Sequence, residues 1–153
     1  MSDNVTGHFS WEEVVTTSTG LENEIPETLK PNAVRLSETV LEPLRVFLGP
    51  LRVDSWYRSA AVNKAVGGVE SSYHRLALAA DVVPQGDVFK AFQKALVHLN
   101  DLPIDKIIYE VHNSPWIHVQ TAKDGESPKH LAFTAKPNAD GHMVYTRFEV
   151  KDE

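Results

Sequence analysis

The clearest pattern of hydrophobic and polar positions is helical and begins at Asn32. Apolar side chains recur there every three or four residues until Gly49 and Pro50 stop the pattern. This apolar stripe consists of Ala33, Leu36, Val40, Leu44 and Phe47. Pro43 falls inside the pattern and lacks the amide hydrogen that a helix interior uses. The pattern therefore predicts one long amphipathic helix with a kink or break near Glu42.

Weaker signals predict three more helices. Ser10, followed three places later by Glu13, is a capping box and predicts a short helix beginning there. Residues 59–66 predict a second short helix, because a pair of glycines follows it. Asp87 is a good N-cap for a third helix over residues 88–99, whose apolar positions again lie on one face. Residues 16–31 have no such period and predict an irregular loop.

Alternating apolar and polar positions predict strands, most of them in the second half of the chain. The predicted strands lie at residues 51–56, within 76–84, and at 106–111, 116–121, 130–134 and 142–148. Residues 112–115 predict a hairpin turn or loop between the third and fourth of these strands. Because helices come first and antiparallel-looking strands follow, we expect an α+β fold with N-terminal helices packed on a mostly antiparallel sheet.

The bulk properties favour a single domain over residues 1–153, with residues 1–7 as a flexible tail. The formal net charge of −6 argues against a general nucleic-acid partner. The N-terminus has no apolar signal-peptide core, and no stretch is long enough to span a membrane. We therefore expect a monomer that is made in the cytoplasm without a signal peptide and does not insert into membranes.

Candidate chemistry centres on two histidines and one aspartate. The chain has no cysteine, so any metal must be held by His, Asp or Glu. His74 precedes Asp81 by a loop-to-strand spacing, and His118 lies in a strand-like run. Two imidazoles and one carboxylate would leave a fourth zinc position free for water. The spacing alone leaves open the alternative that these are hydrogen-bonded core residues.

A wider set of motifs resembles a known family. The segments are Ser55-Trp56-Tyr57-Arg58, Asn63 to Gly68, Ser72-Tyr73-His74 with Ala77, Ala79 and Asp81, and Trp116-Ile117-His118. They resemble the zinc D-Ala-D-Ala carboxypeptidase family, which includes phage peptidoglycan endopeptidases and shares its fold with the amino-terminal domain of hedgehog proteins. The resemblance extends from about Phe9 to Val119.

The resemblance implies roles for individual residues. It implies that His74, Asp81 and His118 bind Zn²⁺. Arg58 would hold the substrate through a carboxylate or a carbonyl, since its planar fork donates two hydrogen bonds at once. An ion pair with Asp54 is the alternative for Arg58.

Three further residues would form the substrate-binding surface. Ser72 would donate a hydrogen bond to the substrate or to the ligand loop. Tyr73 and Trp116 would line the cleft, unless they pack in the core instead. All three stand beside the expected metal ligands in the sequence.

Three positions depart from the family's pattern. Trp56 and Ala77 stand where glycines are expected, and Pro115 replaces an acidic residue that many members carry three places before the last histidine. A subset of the family places its acid at the end of the corresponding strand, so the resemblance implies that Glu110 is the candidate general base. His112 is the second choice for the base and could also stabilise the oxyanion.

The resemblance implies a zinc metallopeptidase that hydrolyses the peptidoglycan stem peptide. It would be a D-Ala-D-Ala carboxypeptidase or a phage endolysin-type endopeptidase, acting in the host periplasm, at the cell wall or on a virion. The proline at position 115 keeps an alternative open. The chain could be a non-catalytic, zinc-bearing module for cell-wall binding or virion structure.

Overall fold

The computed structural model describes residues 3–149 as five α-helices and one six-stranded sheet. The helices are α1 Trp11–Val14, α2 Lys30–Leu36, α3 Glu42–Leu48, α4 Ala60–Ala65 and α5 Val88–Leu96. The strands are β1 Leu51–Ser55, β2 Ala79–Pro84, β3 Lys106–His112, β4 Ser114–Gln120, β5 Leu131–Pro137 and β6 Met143–Arg147. Their order is β1-β2-β4-β3-β5-β6, and only the β3–β5 pair is parallel. The predicted α+β class is confirmed.

The predicted long helix runs without interruption from Lys30 to Leu48, but its middle turn, Ser37–Leu41, is π-helical. Pro43 follows this turn closely and cannot donate to the carbonyl four residues before it, which explains the disturbed hydrogen-bond ladder. Phe47 is 40% exposed and stacks on the His98 ring at 3.6 Å instead of joining the buried stripe. None of the helices within residues 3–149 is long and apolar enough to cross a membrane.

The alternation along β2, β4 and β3 separates two faces of the sheet. One face is apolar and packs in the core with α5; its residues include Ala80, Val82, Ile107, Ile117 and Val119. The opposite face carries Asp81, Ile108, Glu110, Trp116 and His118, which line one open pocket. Since side chains alternate across a strand, the same register that builds the core also gathers these polar groups.

The connection after β4 brings β5 beside β3 and makes the two strands parallel. Residues 121–130 carry the chain back, held by Thr121 N–H donating to Leu78 O and His130 N–H donating to Ile104 O. The antiparallel β5–β6 pair matches the last predicted pair of strands. The parallel pairing was not predicted, because it depends on where this connection leads and not on strand pattern.

The described part of the expected tail, residues 3–7, has hydrogen bonds with the body of the protein; residues 1 and 2 lie outside the described residues. Val5 N–H donates to Phe9 O at 2.8 Å. The Thr6 hydroxyl donates to a Glu42 carboxylate oxygen at 2.6 Å. This segment thereby joins the capping box of α1 to the start of α3.

Candidate metal centre

The structure brings together the three side chains that the sequence singled out as metal ligands. His74, Asp81 and His118 each offer a ligand atom, and these atoms lie within 4.8 Å of one another. His74 is 3% exposed and Asp81 8% exposed. A largely buried group of two imidazoles and one carboxylate could hold a metal ion.

Backbone register accounts for two of these three positions. Asp81 on β2 lies directly opposite His118 on β4 in an antiparallel pair, so their side chains leave the same face of the sheet. His74 instead lies in a 3₁₀ turn, Tyr73–Leu76, above that face. Ser72 caps the turn by accepting from His74 N–H at 3.2 Å, and Ala77 ends it with a left-handed φ of 62°.

The hydrogen bonds of His74 fix which ring nitrogen can bind a metal. Nδ1 lies 2.7 Å from the Trp56 carbonyl oxygen, which can only accept, so Nδ1 carries the hydrogen. Nε2 is buried, has no hydrogen-bond partner within residues 3–149, and lies 3.4 Å from Asp81 Oδ1. Burial lowers the pKa of His74 despite the attraction of Asp81, which favours the neutral ring. A lone pair facing a carboxylate oxygen calls for a cation, so the residues fit a metal ion.

His118 and Asp81 complete the donor set. His118 Nδ1 lies 3.1 Å from Asp81 Oδ1, and Nε2 lies 2.8 Å from Gln120 Oε1. Burial opposes the His118 cation, but the hydrogen bond and charge of Asp81 outweigh it and raise the pKa of His118. Burial likewise opposes the Asp81 carboxylate, yet the two histidines hold its pKa well below the usual range. The carboxylate is thus ionised and available to a cation.

Arg58 contacts the outer oxygen of the same carboxylate. Its Nη2 donates to Asp81 Oδ2 at 3.3 Å, and its Nε donates to Ser55 Oγ at 3.1 Å. The two oxygens of Asp81 are therefore divided, with one facing the histidines and the other facing the guanidinium. The alternative of an ion pair between Arg58 and Asp54 is wrong, because Arg58 pairs with Asp81 and Asp54 pairs with Arg52 at 2.9 Å.

Glu110 lies on the site face of β3, two residues beyond Ile108, which stands opposite His118. It is 9% exposed. Burial raises its pKa to about 7, and Asp81 adds to this effect against the attraction of His118 and Arg58. A carboxyl group with that pKa can both accept and release a proton near neutral pH.

A pocket of about 700 Å³ opens over these groups. It is lined by every residue predicted for catalysis or substrate binding, namely Arg58, Ser72, Tyr73, Glu110, His112 and Trp116. His112 is exposed at the end of β3. The sequence reading missed Lys106, Gln120, Phe133, Met143 and Tyr145, which also line the pocket. Alternation along β3 and β4 would have found the first two, whereas the other three depend on the pairing of β5 and β6.

A family comparison places the chain in a class of enzymes. The model of the family described as Peptidase M15 matches residues 7–120, which span α1 through β4 and include His74, Asp81, Glu110 and His118. The chain belongs to this family, the zinc D-Ala-D-Ala carboxypeptidase family. Its peptidases are zinc-dependent, so the cofactor is Zn²⁺. No curated protein matches the chain.

Proposed function

We propose that this protein is a zinc peptidase that hydrolyses peptide bonds in the peptidoglycan stem peptide. The proposed ligand atoms are His74 Nε2, His118 Nδ1 and a carboxylate oxygen of Asp81. The observation that carries the proposal is the buried Nε2 of His74, which has no hydrogen-bond partner among the described residues and lies 3.4 Å from Asp81 Oδ1. When bound, zinc would act as a Lewis acid that activates water and polarises the substrate carbonyl.

Glu110 is the proposed general base. Its carboxylate would take a proton from the attacking water and pass it to the amine that leaves when the peptide bond breaks. Its pKa of about 7 supports both steps near neutral pH. Pro115 is an odd number of residues from His118 along β4, so its side chain leaves the other face of the sheet. Glu110, in contrast, lies on the same face of the sheet as His118 and lines the pocket.

Arg58 is proposed to hold a carboxylate or a carbonyl of the substrate. Within residues 3–149 its Nη1 makes only a long contact of 3.5 Å with Asn63 Oδ1, which leaves donor capacity toward the pocket. The Trp116 indole N–H is buried and has no acceptor among the described residues, so it could donate to a peptide carbonyl. Ser72 and Tyr73 would form the facing wall, and His112 would stabilise the oxyanion or replace Glu110 as base.

The decisive experiment is digestion of purified peptidoglycan, followed by mass spectrometry of the fragments. We expect activity with zinc, loss after chelation and recovery when zinc is restored. Released D-Ala would define a carboxypeptidase, and new amino groups within stems or bridges would define an endopeptidase. His118→Ala should be inactive, whereas His98→Ala is the matched control, because His98 stacks on Phe47 away from the pocket. Full activity without zinc, or in His118→Ala, would reject the proposal.

A non-catalytic module that binds the bacterial cell wall or forms part of a virion is the second candidate. It is favoured by Pro115 at the position where many members of the family carry an acidic residue. It predicts zinc-dependent sedimentation with peptidoglycan sacculi and no change in fragment masses. In that case Glu110→Gln would leave sedimentation unchanged and have no catalytic effect to measure.

A further inference from the structure

A hydrogen-bonded chain of side chains extends from the proposed metal ligand His118 into the interior. Gln120 Oε1 lies 2.8 Å from His118 Nε2, and Gln120 Nε2 donates to Asp105 Oδ2 at 3.0 Å. Gln120 is 6% exposed and Asp105 5% exposed. Asp105 lies just before β3, and its own N–H donates to the backbone oxygen of Gln120 at 2.8 Å. The two side chains are therefore held face to face.

Asp105 determines which way the Gln120 amide points. One carboxylate oxygen accepts from the Lys129 backbone N–H at 3.1 Å, and the other faces Gln120. A carboxylate only accepts hydrogen bonds, so Gln120 must turn its NH₂ toward Asp105 and its oxygen toward His118. An amide oxygen also only accepts, and His118 Nε2 must therefore carry the hydrogen. In a neutral ring this leaves Nδ1, the nitrogen that faces Asp81, with its lone pair free.

We propose that Asp105 and Gln120 are positioning residues that set the tautomer of His118 for metal binding. The inference rests on the proposed function only in taking His118 as a ligand. A ligand histidine whose other nitrogen donates to a fixed acceptor is held in one tautomer and one orientation. Asp105 acts through Gln120 and belongs neither to the donor cluster nor to the pocket lining.

The direction of the hydrogen bonds can be reversed and then restored by isosteric substitutions. In Asp105→Asn the single remaining side-chain oxygen still accepts from the Lys129 backbone N–H. The introduced NH₂ therefore takes the place of the oxygen that faced the Gln120 NH₂. The Gln120 amide must then turn over and offer its NH₂ to His118, which forces the hydrogen onto Nδ1. In the double variant Asp105→Asn/Gln120→Glu, the introduced amide donates to the introduced carboxylate, which accepts from His118 Nε2 once more. The net charge of the pair is the same as in the wild type.

Zinc affinity, measured by competition with a chromophoric chelator, is the main readout. We expect Asp105→Asn to weaken zinc binding by roughly 10- to 100-fold. The double variant should recover most of that loss. In the zinc-free proteins, ¹⁵N shifts of neutral His118 should report hydrogen on Nε2 in the wild type and the double variant, and on Nδ1 in Asp105→Asn. Asp101→Asn is the matched control, with an exposed carboxylate and no expected effect.

Gln120→Met removes the acceptor at similar size and covers the case in which Asp105→Asn fails to fold. It should also weaken zinc binding and leave the His118 tautomer unfixed. Unchanged zinc affinity in Gln120→Met or in a folded Asp105→Asn would overturn the proposal, as would a double variant that folds but recovers nothing. None of these readouts depends on hydrolysis. A wild-type protein that binds zinc but cuts no peptide would therefore reject the proposed function and leave this inference standing.

Discussion

The two sides of the pocket are built by different means. The floor is the sheet, where β2, β4 and β3 supply Asp81, His118 and Glu110. Their relative positions follow from strand register, which regular backbone hydrogen bonds maintain along each strand. The wall is the segment over residues 55–78, which supplies Arg58 and His74. Outside α4 and the 3₁₀ turn Tyr73–Leu76 this segment is irregular, so its position depends on other contacts.

Asparagine side chains hold the wall to the rest of the protein. Asn23 donates to Tyr57 O at 2.8 Å and accepts from Ser59 N–H at 2.7 Å. Asn32 donates to Leu76 O at 3.0 Å. Within the wall, Trp56 also donates through its indole N–H to Ala77 O at 3.1 Å. The sheet therefore positions two of the three proposed ligands, Asp81 and His118, whereas the segment that carries His74 is held by single side chains from distant parts of the chain.

Glu110→Gln should have the largest effect, and it tests the floor. The substitution keeps the shape of the side chain but removes its ability to accept a proton, so kcat/KM should fall by about 10² to 10⁴. Zinc content should stay at the wild-type level, because Glu110 is not among the grouped ligands. Hydrolysis of peptidoglycan fragments and metal analysis provide the measurement. If zinc content and activity fell by the same factor, Glu110 would be a metal ligand.

The same residue should make the stability of the zinc-free protein depend on pH. Its pKa rises from 4.5 to about 7 on folding, so the folded state favours the protonated form. The contribution of Glu110 to the free energy of unfolding is complete below pH 4.5 and is lost as the pH rises through about 7. The total change is about 3 kcal/mol. Denaturant unfolding at both ends of this range should show Glu110→Gln gaining stability relative to wild type as the pH rises.

Glu42 provides a control of opposite sign for that measurement. Burial opposes ionisation there, but hydrogen bonds from Thr6 and His8 lower the pKa of Glu42. Its contribution is present above the usual carboxyl pKa and is lost as the pH falls through the lowered value. Glu42→Gln should therefore lose stability relative to wild type as the pH rises. If the unfolding free energy relative to wild type changed with pH in the same direction for both variants, Glu110 would not be a buried carboxyl with a raised pKa.

The floor could be predicted from the sequence much better than the wall. His118 and Asp81 stand in strand-like runs whose alternation assigns them a face, and the family resemblance then groups them with His74. Nothing local predicts that Asn23 reaches Tyr57 and Ser59, because those partners lie 34 and 36 residues away along the chain. The same holds for Asp105, whose hydrogen bond with Gln120 becomes apparent only when β3 and β4 are paired.

Asn23→Ala should damage the wall and spare the floor. It leaves Ser59 N–H and the Tyr57 carbonyl without their side-chain partner, which costs about 1–3 kcal/mol of unfolding free energy. Because Tyr57 adjoins the Trp56 carbonyl that orients His74, zinc affinity should fall with it. Asn100→Ala, on an exposed residue, is the matched control and should change neither quantity. Unchanged zinc affinity in Asn23→Ala would show that the wall does not need this attachment.

Ala77→Gly should have the smallest effect, although Ala77 is fully buried where the wall joins β2. The left-handed backbone costs an alanine about 1–2 kcal/mol, which glycine would recover. Glycine in turn loses about 0.5–1 kcal/mol in chain entropy and about 0.8 kcal/mol of methyl burial. These terms nearly cancel, which explains how alanine can stand where the family's pattern has glycine.

Ala79→Gly is the matched control, at a buried position on β2 without a left-handed φ. It has only the unfavourable terms and should lose about 1–2 kcal/mol of unfolding free energy. Equal losses in the two variants, measured by denaturant unfolding, would mean that the turn carrying His74 is not strained at Ala77.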